Sequence, residues 1–214
     1  MQFQPILSSL RHHKLTALLL TLQVAVTCAI VCNVVFMIVD RIGQITLPTG
    51  LDESSLSIVQ VNGIGKDGNP AARHAADLAT LRALPGVSAA IAVDALPLTR
   101  SDSSYGMCAS SEAMDKVIAA RSMQGNQGCL QPSVYSGTPG EVAALGLKLV
   151  EGRDFLPGEY LQADKGWNIA HVSSAIISRE LAQRMFHGQS ALGQSLYPGD
   201  GHPMRIVGIV ETLL

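Results

Sequence analysis

Three groups of residues have types and spacings that could carry chemistry. Gly63, Gly65 and Gly68 form a literal G-x-G-x-x-G between an apolar run and a helical pattern, the arrangement that cradles a pyrophosphate at a helix N-terminus. In such sites the third glycine lies inside the helix. Here Asn69 and Pro70 follow it and Lys66-Asp67 place a charged turn in the middle, so the motif reads as a loop and not a cofactor cradle. Arg153, Asp154 and Glu159 bring opposite charges together in a turn-rich segment. No base or nucleophile stands nearby in sequence, so they read as a salt-bridged turn and not a catalytic pair. The histidines at 12, 13, 74, 171, 187 and 202 are scattered and lack ligand spacing with cysteines or acids, which argues against a metal site. G-x-x-x-x-G-K-[ST], G-x-S-x-G and H-E-x-x-H are all missing, so neither an ATP loop nor a hydrolase elbow nor a zincin helix is expected. No catalytic residue, cofactor or metal is expected, and the chain reads as a non-enzyme.

The four cysteines form two pairs. Cys28 and Cys32 lie one helical turn apart in an apolar run and read as packing residues. Cys108 and Cys129 lie in the polar part of the chain. In an oxidising compartment they can form a disulfide closing a loop of about 22 residues, worth roughly 3 kcal/mol in the chain-entropy account. The competing reading is two buried free thiols.

The elements that must position these residues begin with a membrane span. Leu15 to Val39 contain no charged side chain. As a helix they would reach roughly 37 Å, beyond the ~30 Å hydrocarbon core. Arg11 and Lys14 precede the run with no acid among the first 14 residues, and Asp40 and Arg41 follow it. The positive-inside rule then places 1–14 in the cytoplasm, 15–39 in the membrane and 40–214 across it. The run is long for a cleaved signal peptide, no A-x-A-like site follows it before Pro48, and Thr27 and Val31 before the cysteines do not suit a lipoprotein signal. Gln23 and Asn33 are polar positions inside the span. They are candidates for hydrogen bonds to a neighbouring helix, or else tolerated singly at modest cost.

The 214 residues are 47% hydrophobic and 15% charged, with a net charge of −2. A charged fraction well below the usual ~25% fits membrane contact. Setting aside Arg11 and Lys14, the segment from Asp40 carries 13 basic and 17 acidic residues, a net −4. That excludes a polybasic nucleic-acid binder, and an aromatic content of 4% argues against stacking platforms for bases or sugars.

Beyond the span, 43–55 reads as a linker and Leu56–Val61 as a strand. Asn69 caps a helix that starts at Pro70, runs to Leu84 with Leu78, Leu81 and Leu84 on its apolar face, and stops at Pro85-Gly86. Val87–Val93 reads as a second strand. Residues 97–139 are rich in Ser, Gly, Gln and Met and read as an inserted irregular subdomain with a short helix at Glu112–Ala120. A short helix over Pro139–Leu145, a loop over 164–168, a strand over His171–Ile177, a Ser178-capped helix over Arg179–Phe186 and a last strand over Arg205–Val210 complete the pattern. The fold class is α+β: one N-terminal transmembrane helix followed by a mixed α/β outer domain.

Three runs together resemble a known family. Leu149, Gly152, Arg153 and Phe155 match a Leu-x-x-Gly-Arg-x-Phe pattern. A strand then enters a helix ending at Phe186, Leu192-Gly193 with Leu196 follows, and Ile206-Val207-Gly208-Ile209 closes the set. Leu81 to Val87 adds a helix-to-strand turn. This combination is similar to the periplasmic core domain of MacB-type ABC transporter permeases, in the FtsX-like superfamily, and it departs most between Pro97 and Gln131. The resemblance implies a permease component in the bacterial inner membrane, with the main domain periplasmic. It implies a cytoplasmic ABC ATPase subunit, a second permease copy or partner permease, a periplasmic adaptor and membrane lipid as partners, and no nucleic acid. Such permeases pass ATP-driven motion outward for export or efflux. They carry three further helices after the periplasmic domain, so the chain is expected to be an N-terminal part, a truncated product or one piece of a split gene. The alternative is a membrane-anchored periplasmic interaction module without ATP coupling.

Overall fold

A computed structural model describes residues 14–61, 69–97, 103–125, 128–160, 171–199 and 202–214. It divides into two units, Met1–Leu47 and Pro48–Leu214.

In the first unit, helix α1 spans Lys14–Ile45, 32 residues with an apolar exterior and no buried side chain. It is long and apolar enough to cross a membrane. Two of its threonine hydroxyls bond within the helix: Thr21 donates to the Ala17 carbonyl and Thr27 to that of Gln23, each at 2.8 Å, so neither would face lipid unpaired. The helix outruns the charge-free stretch by six residues because its first charges are paired along it. Gln44 donates to Asp40 at 2.9 Å and Arg41 donates to Gln44 at 3.1 Å. It ends ahead of Pro48, which disfavours helical backbone at Leu47.

In the second unit, helix α2 spans Pro70–Arg82, with the Asn69 side chain accepting from the Ala72 N–H at 3.0 Å. Strand β1 (Met107–Cys108), helix α3 (Ser111–Ala120), strand β2 (Cys129–Leu130) and helix α4 (Glu141–Ala144) follow. Next come β3 (Leu149–Gly152), β4 (Ser174–Ser178), α5 (Arg179–Phe186), β5 (Ser195–Pro198) and β6 (Met204–Val210). The sheet order is β2-β1-β5-β6-β3, with β4 also on β6. β4 runs parallel to β6 over residues 205–210, whereas β5 and β3 pair antiparallel with the start and end of β6. The last two therefore share one edge of β6 and β4 takes the other. The fold is α+β, as expected.

The core lies where α5 packs on the sheet. Met185, Leu196 and Ile206 are each 1% exposed and Val210 is 0% exposed. The Ser178 cap, accepting from the Leu181 N–H at 3.3 Å, sets the start of α5 so that Ala182 and Met185 face inward. His187, in left-handed geometry, ends it ahead of Gly188.

Several sequence readings need correction. Residues 43–55 are not a linker throughout, since 43–45 close α1 and 49–52 are hydrogen-bonded into the second unit. Leu56–Val61 forms no strand, and Ile58, Val59 and Val61 are 72%, 62% and 64% exposed. β-Branched composition favours extended backbone, but a strand exists only where an edge receives it. Val87–Val93 likewise makes one bridge, Val93 to Gly137. Around it Ala92, Asp94, Ser136 and Thr138 exchange backbone hydrogen bonds of 2.9 Å. Helix α2 stops at Arg82, whose guanidinium binds the Ala90 carbonyl, and Leu84 is exposed. The irregular segment 97–139 is not apart from the sheet: β1 and β2 pair with each other and β1 joins β5. The Gly63/Gly65/Gly68 motif, the 164–168 loop, His12 and His13 lie outside the described residues.

Candidate coupling site

The chain that leaves α1 is fastened where it joins the outer domain. Thr49 is 5% exposed, and its carbonyl accepts from the Leu214 N–H at 3.3 Å. Its hydroxyl donates to Glu53 and accepts from the Leu51 N–H at 3.2 Å. The Asp52 N–H donates to the Leu145 carbonyl at 3.0 Å, just after α4. The Asp52 carboxylate accepts from the Ser54 and Ser55 hydroxyls, which hold it below the ordinary carboxylate pKa. On the β6 side, the Tyr135 hydroxyl donates to the Leu214 carbonyl. Lys148 pairs with Glu211 at 2.8 Å, and the Glu211 N–H donates to the Lys148 carbonyl. Gly50 permits the close approach: at φ +88° an added Cβ would stand 2.0 Å from the Thr212 carbonyl oxygen. This clasp holds residues 49–52 to the outer domain through backbone hydrogen bonds, each worth about 1 kcal/mol.

A second contact joins two of the sequence motifs. Gly152 and Gly208 are paired across β3 and β6, and the Arg153 N–H donates to the Val207 carbonyl at 2.9 Å. A Cβ on Gly152 would stand 2.3 Å from the Val207 oxygen, and one on Gly208 2.5 Å from the Arg153 oxygen. The Gly-Arg-x-Phe turn and the Ile-Val-Gly-Ile strand are thus two halves of one backbone contact. From this turn Arg153 grips Glu159 in a bidentate pair, 2.7 and 2.8 Å. Glu159 also accepts from the Leu156 N–H at 2.7 Å and the Ser174 hydroxyl at 2.8 Å. Four donors to one carboxylate, Arg153 foremost, hold its pKa down to about 2.

The sequence reading of a salt-bridged turn is what the geometry contains. Because the folded pKa lies below the unfolded value, this stabilisation is full above about pH 4.5 and is lost as pH falls toward about 2. Glu159→Gln is expected to lower the urea midpoint of the full chain at pH 7. It should also flatten the acid limb between pH 4.5 and 2. An unchanged acid limb would contradict the assignment.

Cys108 and Cys129 are joined as a disulfide that ties β1 to β2, with their Cα atoms 4.1 Å apart. Gln23 and Asn33 lie on α1 with exposed side chains, and Cys28 and Cys32 are free thiols there. The clasp residues were missed by sequence reasoning. Their contacts join positions far apart in the chain, and only the small and hydroxylated run Thr49-Gly50 hinted at a close approach.

The family model for the MacB-like periplasmic core domain matches residues 15–213. A search of curated proteins finds no match. Among solved structures, the periplasmic region of MacB from Actinobacillus actinomycetemcomitans matches at 16% identity and a TM-score of 0.40, covering 64% of this chain and 50% of that one. The extracellular domain of the noncanonic ABC-type transporter YknZ from Gram-positive bacteria matches at 18% identity and a TM-score of 0.39, covering 64% of this chain and 56% of that one. The chain therefore spans about half the length of these solved relatives. With the family model matching nearly its whole length, the chain belongs to the MacB-like periplasmic core domain family.

Proposed function

We propose that this chain is a permease component of an ABC-type transporter, coupling ATP hydrolysis in a separate cytoplasmic subunit to movement of its outer domain for export or efflux. In this reading α1 crosses the inner membrane with residues 1–14 in the cytoplasm, 15–39 in lipid and 40–214 in the periplasm. Gln23 and Asn33 hydrogen-bond a helix of a second permease copy or partner permease. A periplasmic adaptor meets the outer domain. The observation that carries the reading is the clasp: Thr49 is hydrogen-bonded to Leu214, beyond β6, and Asp52 to Leu145, just after α4.

The runner-up, an anchored periplasmic interaction module without ATP coupling, draws on one observation. Ile58, Val59, Val61, Leu84 and Val87, in the stretches that flank α2 in sequence, are exposed apolar side chains.

Both readings require the same topology. A membrane-impermeant maleimide should label Ser57→Cys in the full chain from the periplasmic side of spheroplasts. It should label Ser8→Cys only after permeabilisation. The reverse pattern would exclude both readings.

A further inference from the structure

Two carboxamides on α1 stand on an otherwise apolar stretch of helix. The hydroxyls of Thr21 and Thr27 bond to carbonyls of the preceding turn. The side chains of Gln23 and Asn33 are exposed and make no hydrogen bond among the described residues. Both lie inside the charge-free run Leu15–Val39. At 1.5 Å per residue, Gln23 sits roughly 12 Å from the start of that run and Asn33 roughly 9 Å from its end. Side chains this short do not reach water from there, and in hydrocarbon an unpaired carboxamide is costly.

Their spacing selects a geometry. On a straight helix, ten residues of separation put them about 80° apart. Counted in heptads they share one seam: Leu19, Gln23, Val26, Ile30, Asn33 and Met37 follow one another at alternating intervals of four and three, the d and a positions of a coiled coil. All six side chains are exposed, and the seam runs for roughly 27 Å. A left-handed crossing of about 20°, usual in membrane bundles, keeps such a seam against a single neighbouring helix. The next seam position, Asp40, accepts from Gln44 of its own helix, so the seam stops where the charge-free run stops. Cys28 is five residues from each carboxamide, about 140° around the helix from both, and therefore marks the opposite face.

A carboxamide is its own complement, since it carries both a donor and an acceptor. A second α1 laid parallel brings the two Gln23 side chains together at one depth and the two Asn33 side chains together at another, with no further polar residue required. Parallel alignment follows from the flanks, because Arg11 and Lys14 direct every copy into the membrane the same way. We propose that α1 pairs with the α1 of a second copy of this chain in a parallel left-handed coil, with Leu19, Val26, Ile30 and Met37 interdigitating and the two carboxamide pairs fixing the register. This rests on the membrane-spanning reading above and narrows the membrane partner of Gln23 and Asn33 to the chain itself.

The test is oxidative cross-linking of the full chain in spheroplasts, with cysteines placed singly on α1 in a Cys28→Ala/Cys32→Ala background. Val26→Cys, Ile30→Cys and Met37→Cys are expected to give covalent dimers at least fivefold more abundant than a Cys32→Ala chain gives through Cys28. Two differently tagged copies identify the product as a homodimer. Gln23→Leu/Asn33→Leu, which leaves an apolar helix able to insert, should lower the Ile30→Cys product at least tenfold, whereas Gln23→Asn/Asn33→Gln should retain most of it. Maleimide labelling of Ser57→Cys and Ser8→Cys in the same spheroplasts reports whether α1 spans. A spanning helix whose cross-links are uniform around α1, strongest at Cys28 or undiminished by the leucine pair would overturn the pairing alone and leave a partner permease in its place. A helix that does not span would overturn the pairing together with the membrane reading.

Discussion

Replacing Gly152 with alanine is expected to destabilise the outer domain by about 3–5 kcal/mol. Two costs combine. Gly152 has φ +77°, a left-handed conformation that side chains adopt only with strain. The new Cβ would also stand 2.3 Å from the Val207 oxygen and 2.6 Å from Leu192. Leu192 can turn aside, but the Val207 oxygen cannot, because it accepts from the Arg153 N–H in the same turn. Relief requires β3 to lift from β6, which would release Arg153 and with it Glu159. Gly208→Ala tests the other half of the contact: its Cβ would lie 2.5 Å from the Arg153 oxygen. Since both changes break one contact, the double variant should lose much less than the sum of the two. Urea unfolding of the full chain in detergent, followed by circular dichroism, reads all three variants. Full additivity would show that the glycines act separately.

Removing the disulfide should cost about 3 kcal/mol in the chain-entropy account. Cys108 is 0% and Cys129 7% exposed, and with Met114 they form a small core under α3. β1 and β2 are two residues each, too short to hold their register alone. The bond fixes them where β1 must meet Tyr197 and Pro198 of β5. Cys108→Ala/Cys129→Ala avoids leaving buried hydroxyls and isolates the cross-link. The paired variant is expected to shift the urea midpoint down while leaving the α5 core able to fold. Oxidised protein should have a mass two hydrogens lower than reduced protein under non-reducing conditions. Two alkylatable thiols in periplasmically made protein would contradict the assignment.

The parts legible in sequence were those set by local rules. The charge-free run and the Asn69 and Ser178 caps depend on neighbours a few residues away. So did the Arg153–Glu159 turn. What escaped reading depends on partners distant in the chain. Leu56–Val61 has the composition of a strand but receives no edge in the described residues, and Val87–Val93 pairs only around one bridge. Segment 97–139 lacks periodicity because its strands are too short to show alternation, yet β1 joins β5 across nearly ninety residues of sequence. The clasp was invisible for the same reason: Thr49, Leu145 and Leu214 carry no motif and meet only in the folded domain. Family resemblance captured the glycine turns as a pattern. The structure supplies the cause, since Gly152 and Gly208 occupy facing positions of one strand pair.

The clasp gives the transport reading its physical content. A helix displacement is useful outward only if the chain beyond it does not yield, and residues 49–52 are held by backbone hydrogen bonds on two sides. Coupling in the strict sense also needs two discrete states that the nucleotide biases. These would belong to the assembly with the ATPase rather than to this domain alone.

The most direct measurement is affinity purification of the full chain from its own membranes in mild detergent, with the copurifying proteins identified and assayed for ATP hydrolysis. The account predicts an ABC ATPase in the complex, whose hydrolysis rate changes when the clasp is loosened by Gly50→Val. A chain that reproducibly purifies without any ATPase, while retaining other partners on its outer domain, would contradict the permease reading and favour the anchored interaction module.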